Sequence, residues 1–268
     1  MKKHFTLLVG ISLGILILAP LLPLLLWSVA KHWFPPALFP GAFSLRGFEA
    51  LFSSGALEAL WHSVWIGCLA ASISVVIAYP AGRSLAFSKH PLRPLFQGAL
   101  LLPALAPQMA TALGLHTRFI KLGLEDSPFG VVLAHLIPAL PYAIVVMSAG
   151  FSNYDSRFEE AAMNLGASRL KTLWRITLPQ LIPSIAVAFL FAFLISWSQY
   201  TLTLVIGGGV VITLPILVYS MASAGDFHLI ASTCIAFVAP VLLLTPFIDH
   251  ALLGGVKKKD QPLKEVFR

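Results

Sequence analysis

The chain has 268 residues, of which 58% are hydrophobic and only 11% charged, with a formal net charge of +7. That composition excludes an ordinary soluble domain, because so apolar a chain has too little polar surface to meet water on every side. The positive balance lies in basic residues at the ends of apolar segments, so it signals membrane orientation and requires no nucleic acid.

Apolar stretches at 5–27, 60–86, 95–116, 129–151, 181–205 and 229–253 are each about the 20 residues that a spanning helix needs, and they predict six transmembrane helices in one domain over 1–268. In the first, Met1-Lys2-Lys3 and the small residues Ser28-Val29-Ala30 resemble a secretory leader, but 5–27 is longer than the usual leader core. A retained helix kinked at Pro20 and Pro23 is expected instead. With six spans, fourteen Lys and Arg fall on one side and four on the other, which predicts that both termini face the cytoplasm. The apolar piece 212–224, preceded by Gly207-Gly208-Gly209, is too short to cross. If it did cross, the charges would divide nine to nine; an external re-entrant or interfacial segment over about 206–226 is expected. The three glycines are read as flexible backbone.

A polar loop over about 152–180 joins the fourth and fifth spans on the basic side. Ser156 and Glu159 have capping-box spacing, so a helix is predicted to start near Arg157. The small pair Ala161/Ala162 leaves its surface low enough for a groove to close over it. Gly166 permits a sharp turn, Ser168 can cap a second short helix, and Leu178-Pro179 should end the polar stretch and begin the next span. Leu170, Leu173 and Trp174 recur at i, i+3 and i+4, an apolar face beside Arg169, Lys171 and Arg175. The loop reads as a helix-turn-helix docking element; an amphipathic helix on the inner leaflet is the plainer alternative.

The residues Glu160, Ala161, Ala162, then Gly166, then Ile176, Leu178 and Pro179 reproduce the cytoplasmic loop pattern E-A-A, three residues, G, nine residues, I-x-L-P. In this the chain resembles the inner-membrane permease subunits of binding-protein-dependent ABC importers of type I. FSLRGFEALF, SWSQYTLTLVIGGG and TLPILVYS are most similar to the spermidine/putrescine, iron(III), thiamine and sulfate branch. The resemblance implies an all-α, six-helix permease in a bacterial inner membrane. Its partners would be two ATP-binding subunits, an extracytoplasmic solute-binding protein and a second permease, a different subunit in preference to a copy of this one. Glu160, Ala161, Ala162, Gly166, Leu170, Trp174, Ile176, Leu178 and Pro179 would couple the chain to an ATPase, and the cargo would be a small hydrophilic solute such as a polyamine, thiamine, or a metal or oxyanion species.

No G-x-x-x-x-G-K-[ST] loop occurs, so ATP and its magnesium belong on the partner subunits and no cofactor is expected here. No metal-ligand spacing or catalytic constellation is present, and the adjacent Glu159 and Glu160 do not face each other on a helix, so no enzymatic role is expected. Ser196, Gln199, Tyr200 and Thr203 recur at i, i+3, i+4 and i+7 and would share one face of the fifth span. They are candidates to line a translocation path, with interhelical hydrogen bonding as the alternative. Gln108 and Thr111 form a weaker pair. His62 and His135 stand alone in apolar surroundings and read as packing residues. Two other classes stay open: a secondary transporter, disfavoured because no carboxylate falls in mid-span, and a non-transporting scaffold that recruits a cytoplasmic partner through the same loop.

Overall fold

A computed structural model describes residues 10, 12, 14, 16, 19, 21–31, 33, 37, 39–53 and 55–259, with side chains as far as Leu243 except at 50, 53 and 104. The described residues are almost wholly helical, with one isolated antiparallel bridge between Ala30 and Phe43 and no strand. They form two compact units, one drawn from Met1–His62 and Ile212–Pro240, the other from Ser63–Val211 and Val241–Arg268. Three helical runs, Ala56–Phe87, Pro128–Ser152 and Arg169–Trp197, are long and apolar enough to cross a membrane.

In the first unit, α1 (Leu21–Val29) packs on α2 (Arg46–Ser53). Pro23 sits in the first turn of α1, while Pro20 and ten other positions of the expected span 5–27 lie outside the described residues. The Nδ1 of His228 lies 3.1 Å from the Trp27 carbonyl, and the Trp27 ring stacks on Phe227 at 5.9 Å. α12 (Leu214–Ala224) has 11 residues and ends at Gly225, too short to cross a bilayer as expected. α13 runs from Phe227 to Lys259.

The second unit begins on α3 (Ala56–Phe87), which starts in the first. The expected third span is not one helix. α4 (Arg93–Leu100), α5 (Leu102–Leu105) and α6 (Gln108–Leu122) replace it. Two prolines cause the breaks: Pro103 opens α5, and Pro107 drives Ala106 into an extended conformation (ψ 142°) that ends it. α7 (Pro128–Ser152) packs along α10 (Leu178–Trp197). Both helices bury alanines, Ala139 and Ala143 on one and Ala188 and Ala192 on the other, which lets backbones approach closely where water gives no hydrophobic drive. Ile66 on α3, Ala112 and Phe119 on α6, Val132 on α7 and Ile206 on α11 (Thr201–Ile206) belong, with Val211, to one core.

The triglycine is a bonded corner, not loose backbone. Val210 N–H donates to the Gly207 carbonyl at 2.8 Å, and Asp126 N–H donates to the Ile206 carbonyl at 2.9 Å.

Candidate functional site: the polar loop and the broken fifth span

The loop between α7 and α10 folds into α8 (Arg157–Asn164), a turn, α9 (Arg169–Thr172) and a π-helical stretch, Leu173–Thr177. α8 starts at the expected residue, but by another device. Ser156 makes no side-chain cap, and the Asp155 Oδ1 accepts the Arg157 N–H at 3.0 Å instead. Glu159 is thereby free to turn inward.

Gly166 adopts φ +85°, and the turn closes through Gly166 N–H to Met163 O and Ala167 N–H to Ala162 O, both 3.0 Å. That pair of bonds is the Schellman arrangement, which needs a left-handed residue where a side chain would be strained. Ser168 caps α9 by accepting the Lys171 N–H at 3.3 Å. Leu178-Pro179 opens α10 as expected, with Pro179 in its first turn, yet the helical path is not interrupted there. Helix is continuous from Arg169 to Trp197 because the π stretch, closed by Leu178 N–H to Leu173 O, widens the turn preceding Pro179. A proline inside a regular α-helix would lack its N–H and collide with the carbonyl four residues back.

The candidate docking residues form a largely open surface. Glu160, Ala161, Gly166 and Pro179 are exposed, Leu170 and Trp174 are each 65% exposed, and Ala162, Ile176 and Leu178 are half-buried. Sequence reasoning missed two more apolar members, Phe158 at 56% and Leu165 at 89% exposed. Residues this apolar are not left open on a soluble monomer without a partner or membrane to cover them.

Behind that surface lies a buried polar hub. The Arg83 guanidinium donates to both carboxylate oxygens of Glu159, at 2.9 and 2.7 Å. Glu159 Oε1 also accepts from Tyr154 Oη at 3.0 Å and Thr177 Oγ1 at 2.7 Å. Arg83 lies 5.7 Å from the ring centroids of both Phe87 and Phe151. The Arg83 bonds foremost, with those of Thr177 and Tyr154, hold the Glu159 carboxyl down at about 2 against burial, while burial pushes the Tyr154 hydroxyl up to about 12. Glu159 was read from sequence as a capping-box partner and as a carboxylate without acid–base work, and Arg83 as an orienting charge. Their pairing joins positions 76 apart and leaves no local signature.

The fifth span also departs from expectation. α10 ends at Trp197, positions 198–200 are non-helical, and α11 begins at Thr201, so Ser196, Gln199, Tyr200 and Thr203 do not share one helical face. His135 on α7 bridges the break, with Nδ1 2.8 Å from Ser196 Oγ and Nε2 3.0 Å from Thr203 Oγ1. An unbroken helix would separate residues 196 and 203 by about two turns of 5.4 Å, farther than one imidazole reaches with bonds of that length. Thr203 Oγ1 also donates to the Gln199 carbonyl at 2.9 Å, satisfying a group that the break releases. Ser196 and Thr203 therefore serve as interhelical hydrogen-bonding groups, and His135 is the buried packing residue expected of it. His62 Nδ1 lies 3.1 Å from the Ile212 carbonyl. Gln199 is 6% exposed, its side-chain oxygen has no partner, and it lines a narrow cleft with Gln108 and Thr111. Tyr200 is half-buried. Among the described residues no group of three potential metal ligands converges.

Several apolar helices and an open helix-turn-helix on a polar loop are the arrangement of an integral membrane component with an exposed docking loop. Residues 73–258 match the family model described as binding-protein-dependent transport system inner membrane component, and the chain belongs to that family. It is similar to the spermidine/putrescine transport system permease protein of Haemophilus influenzae, 27% identical over 212 residues, covering 78% of this chain and 82% of that protein. A homologue of that permease in Mycoplasma genitalium is 28% identical and covers 100% of this chain and 98% of its own. The trehalose transport system permease protein of Mycobacterium tuberculosis is 25% identical, covering 82% of each. Among solved structures, a bacterial ABC transporter involved in the import of the acidic polysaccharide alginate matches with TM-score 0.69 and 18% identity over 92% of this chain and 96% of that one. The alginate transporter bound to its pentasaccharide-loaded periplasmic protein matches with TM-score 0.57 over 93% of each chain. The protein is thus a multi-pass inner-membrane permease subunit of an ABC importer that works with a binding protein.

Proposed function

We propose that this permease pairs with a second permease subunit and carries a small hydrophilic solute, a polyamine in first place, driven by two ATP-binding subunits that engage the loop 160–179. ATP and magnesium would reside on those subunits, and the chain itself would hold no cofactor and catalyse no reaction. Both termini and the loop would face the cytoplasm, with 206–226 on the outer side, in a single permease domain. The observation that carries the docking reading is the open apolar surface of Phe158, Leu165, Leu170 and Trp174 around the small pair Ala161/Ala162, on a loop whose turn is fixed by Gly166. A groove on an ATPase would cover those side chains, and Glu160 at its rim would meet a basic group. Gln199, with its unpartnered oxygen, and Gln108 and Thr111 beside it would lie along the path with Tyr200.

The spermidine/putrescine permeases among the relatives support the polyamine, whose ammonium groups need oxygen acceptors of the kind that Gln199 and Thr111 offer. Purified complex reconstituted in vesicles with its binding protein should take up labelled spermidine or putrescine when ATP is supplied. Uptake of labelled trehalose with no uptake of either polyamine would replace the substrate while leaving the permease role intact.

A further inference from the structure

α8 has eight residues, and Glu159 is the one among them that is buried. The helix also packs on α9 and on the π stretch, and short turns at 153–156 and 165–168 join its ends to the chain. Through the Glu159 carboxylate, by contrast, four parts of the chain are tied together: α3 by Arg83, the end of α7 by Tyr154, α8 itself, and the π stretch by Thr177. The Arg83 contact is bidentate, so it resists rotation as well as separation, which a single hydrogen bond does not.

Arg83 also stands on a long helix, three residues after Pro80. α3 is unbroken over 32 residues, about 48 Å at 1.5 Å per residue, long enough to cross the membrane. Next to Arg83, Gly82 packs so tightly on α7 that a Cβ there would come within 2.7 Å of the Met147 Cβ. Displacement of Arg83 would therefore act on α3 close to its contact with α7. A cleft of about 470 Å³, lined by Tyr79, Arg83, Glu159, Arg169 and Thr177 among others, lies beside the pair and gives it room to move. A mere surface ion pair would need no aromatic wall, no second and third hydroxyl donor and no close helix contact, and would contribute little.

We infer that the Arg83–Glu159 pair, held by Tyr154 and Thr177, is the link that makes α8 and the end of α3 move as one body, so that motion imposed on the loop reaches the membrane helices. Arg83 and Glu159 are positioning residues for coupled transport. The inference rests on the reading that an ATPase engages the loop.

The test uses the whole importer in lipid discs, with nitroxide labels at Ser84→Cys on α3 and Asn164→Cys on α8, both exposed positions. Their distance distribution is measured without nucleotide and with ATP trapped by vanadate. With the pair intact the distribution stays the same in both states. In Glu159→Gln it shifts or broadens on trapping, and the charge swap Arg83→Glu/Glu159→Arg restores the unchanged distribution. A nucleotide-dependent shift in the parent chain, or none in Glu159→Gln, overturns the inference. Should Glu159→Gln fail to assemble, Arg83→Lys, which keeps the charge but loses the fork, must broaden on trapping, and an unchanged distribution there overturns it equally. Failure of the docking reading is distinguishable, because the parent complex would then purify without ATPase subunits.

Discussion

Gly166 offers the sharpest test of the loop. Its φ of +85° lies where L side chains are strained, yet a Cβ built there would meet no atom within 4 Å. Substitution should therefore act through the backbone alone, uncomplicated by collision. The left-handed conformation costs an L-residue about 1–2 kcal/mol, with β-branched side chains at the upper end. Gly166→Val should then disfavour the closed turn by about 2 kcal/mol, which lowers the population of the docking-competent loop and weakens apparent ATPase affinity about thirtyfold. Gly166→Ala should lie between, and Gly166→Asn, which tolerates this conformation, should stay within about threefold of the parent. The assay is titration of permease in lipid discs with labelled ATPase subunit. Equal weakening by Asn and Val, or parent-like affinity in Gly166→Val, would refute the assignment of the turn as the element that sets the docking geometry.

Three other outcomes follow from the same geometry. His135→Ala should lower complex stability by about 1–2 kcal/mol, since it removes two interhelical bonds, with transport per assembled complex unchanged; a transport defect at normal melting temperature would instead place His135 on the path. Gln199→Leu buries no new polar group and frees none, so assembly and melting should be kept while polyamine uptake changes; lower stability with unaltered uptake per complex would remove Gln199 from the path. For Glu159, the carboxyl is held at about 2 against an ordinary 4.5, so the folded state binds its proton less tightly than the unfolded state. Its stabilising contribution is complete above pH 4.5 and is lost as the pH falls toward 2, so the melting gap between parent and Glu159→Gln should be constant near neutrality and narrow below 4.5. A gap that widens on acidification would contradict the ion pair.

What the sequence made legible was local. Gly166, Ser168 and the apolar spacing of Leu170 and Trp174 are turn, cap and face signals that act within a few residues, and the structure realises each of them. The start of α8 was found for an incomplete reason, since Ser156 and Glu159 fit a capping box that the chain does not use. What selects the alternative is Arg83, distant in sequence, which draws Glu159 inward. The break after Trp197 was invisible because neither glycine nor proline marks it, and a histidine on another helix holds it open. Pro179 marked the start of α10 correctly, but not that a π stretch joins that helix to α9 without interruption. Only the breaks at Pro103 and Pro107 were present in the sequence as ordinary punctuation, and an apolar count over 95–116 passes over them.

The claim at the centre of this account is that the exposed loop surface is covered by an ATP-binding subunit. A photoreactive residue at Leu165, 89% exposed at the tip of the turn, measures that contact directly in membranes that contain the assembled importer. The account predicts a crosslinked product that contains the ATP-binding subunit, and a much lower yield of it when Gly166 is changed to Val. Adducts to phospholipid alone, with the ATP-binding subunit present in the same membranes and uncrosslinked, would contradict it and leave an amphipathic element lying on the inner leaflet.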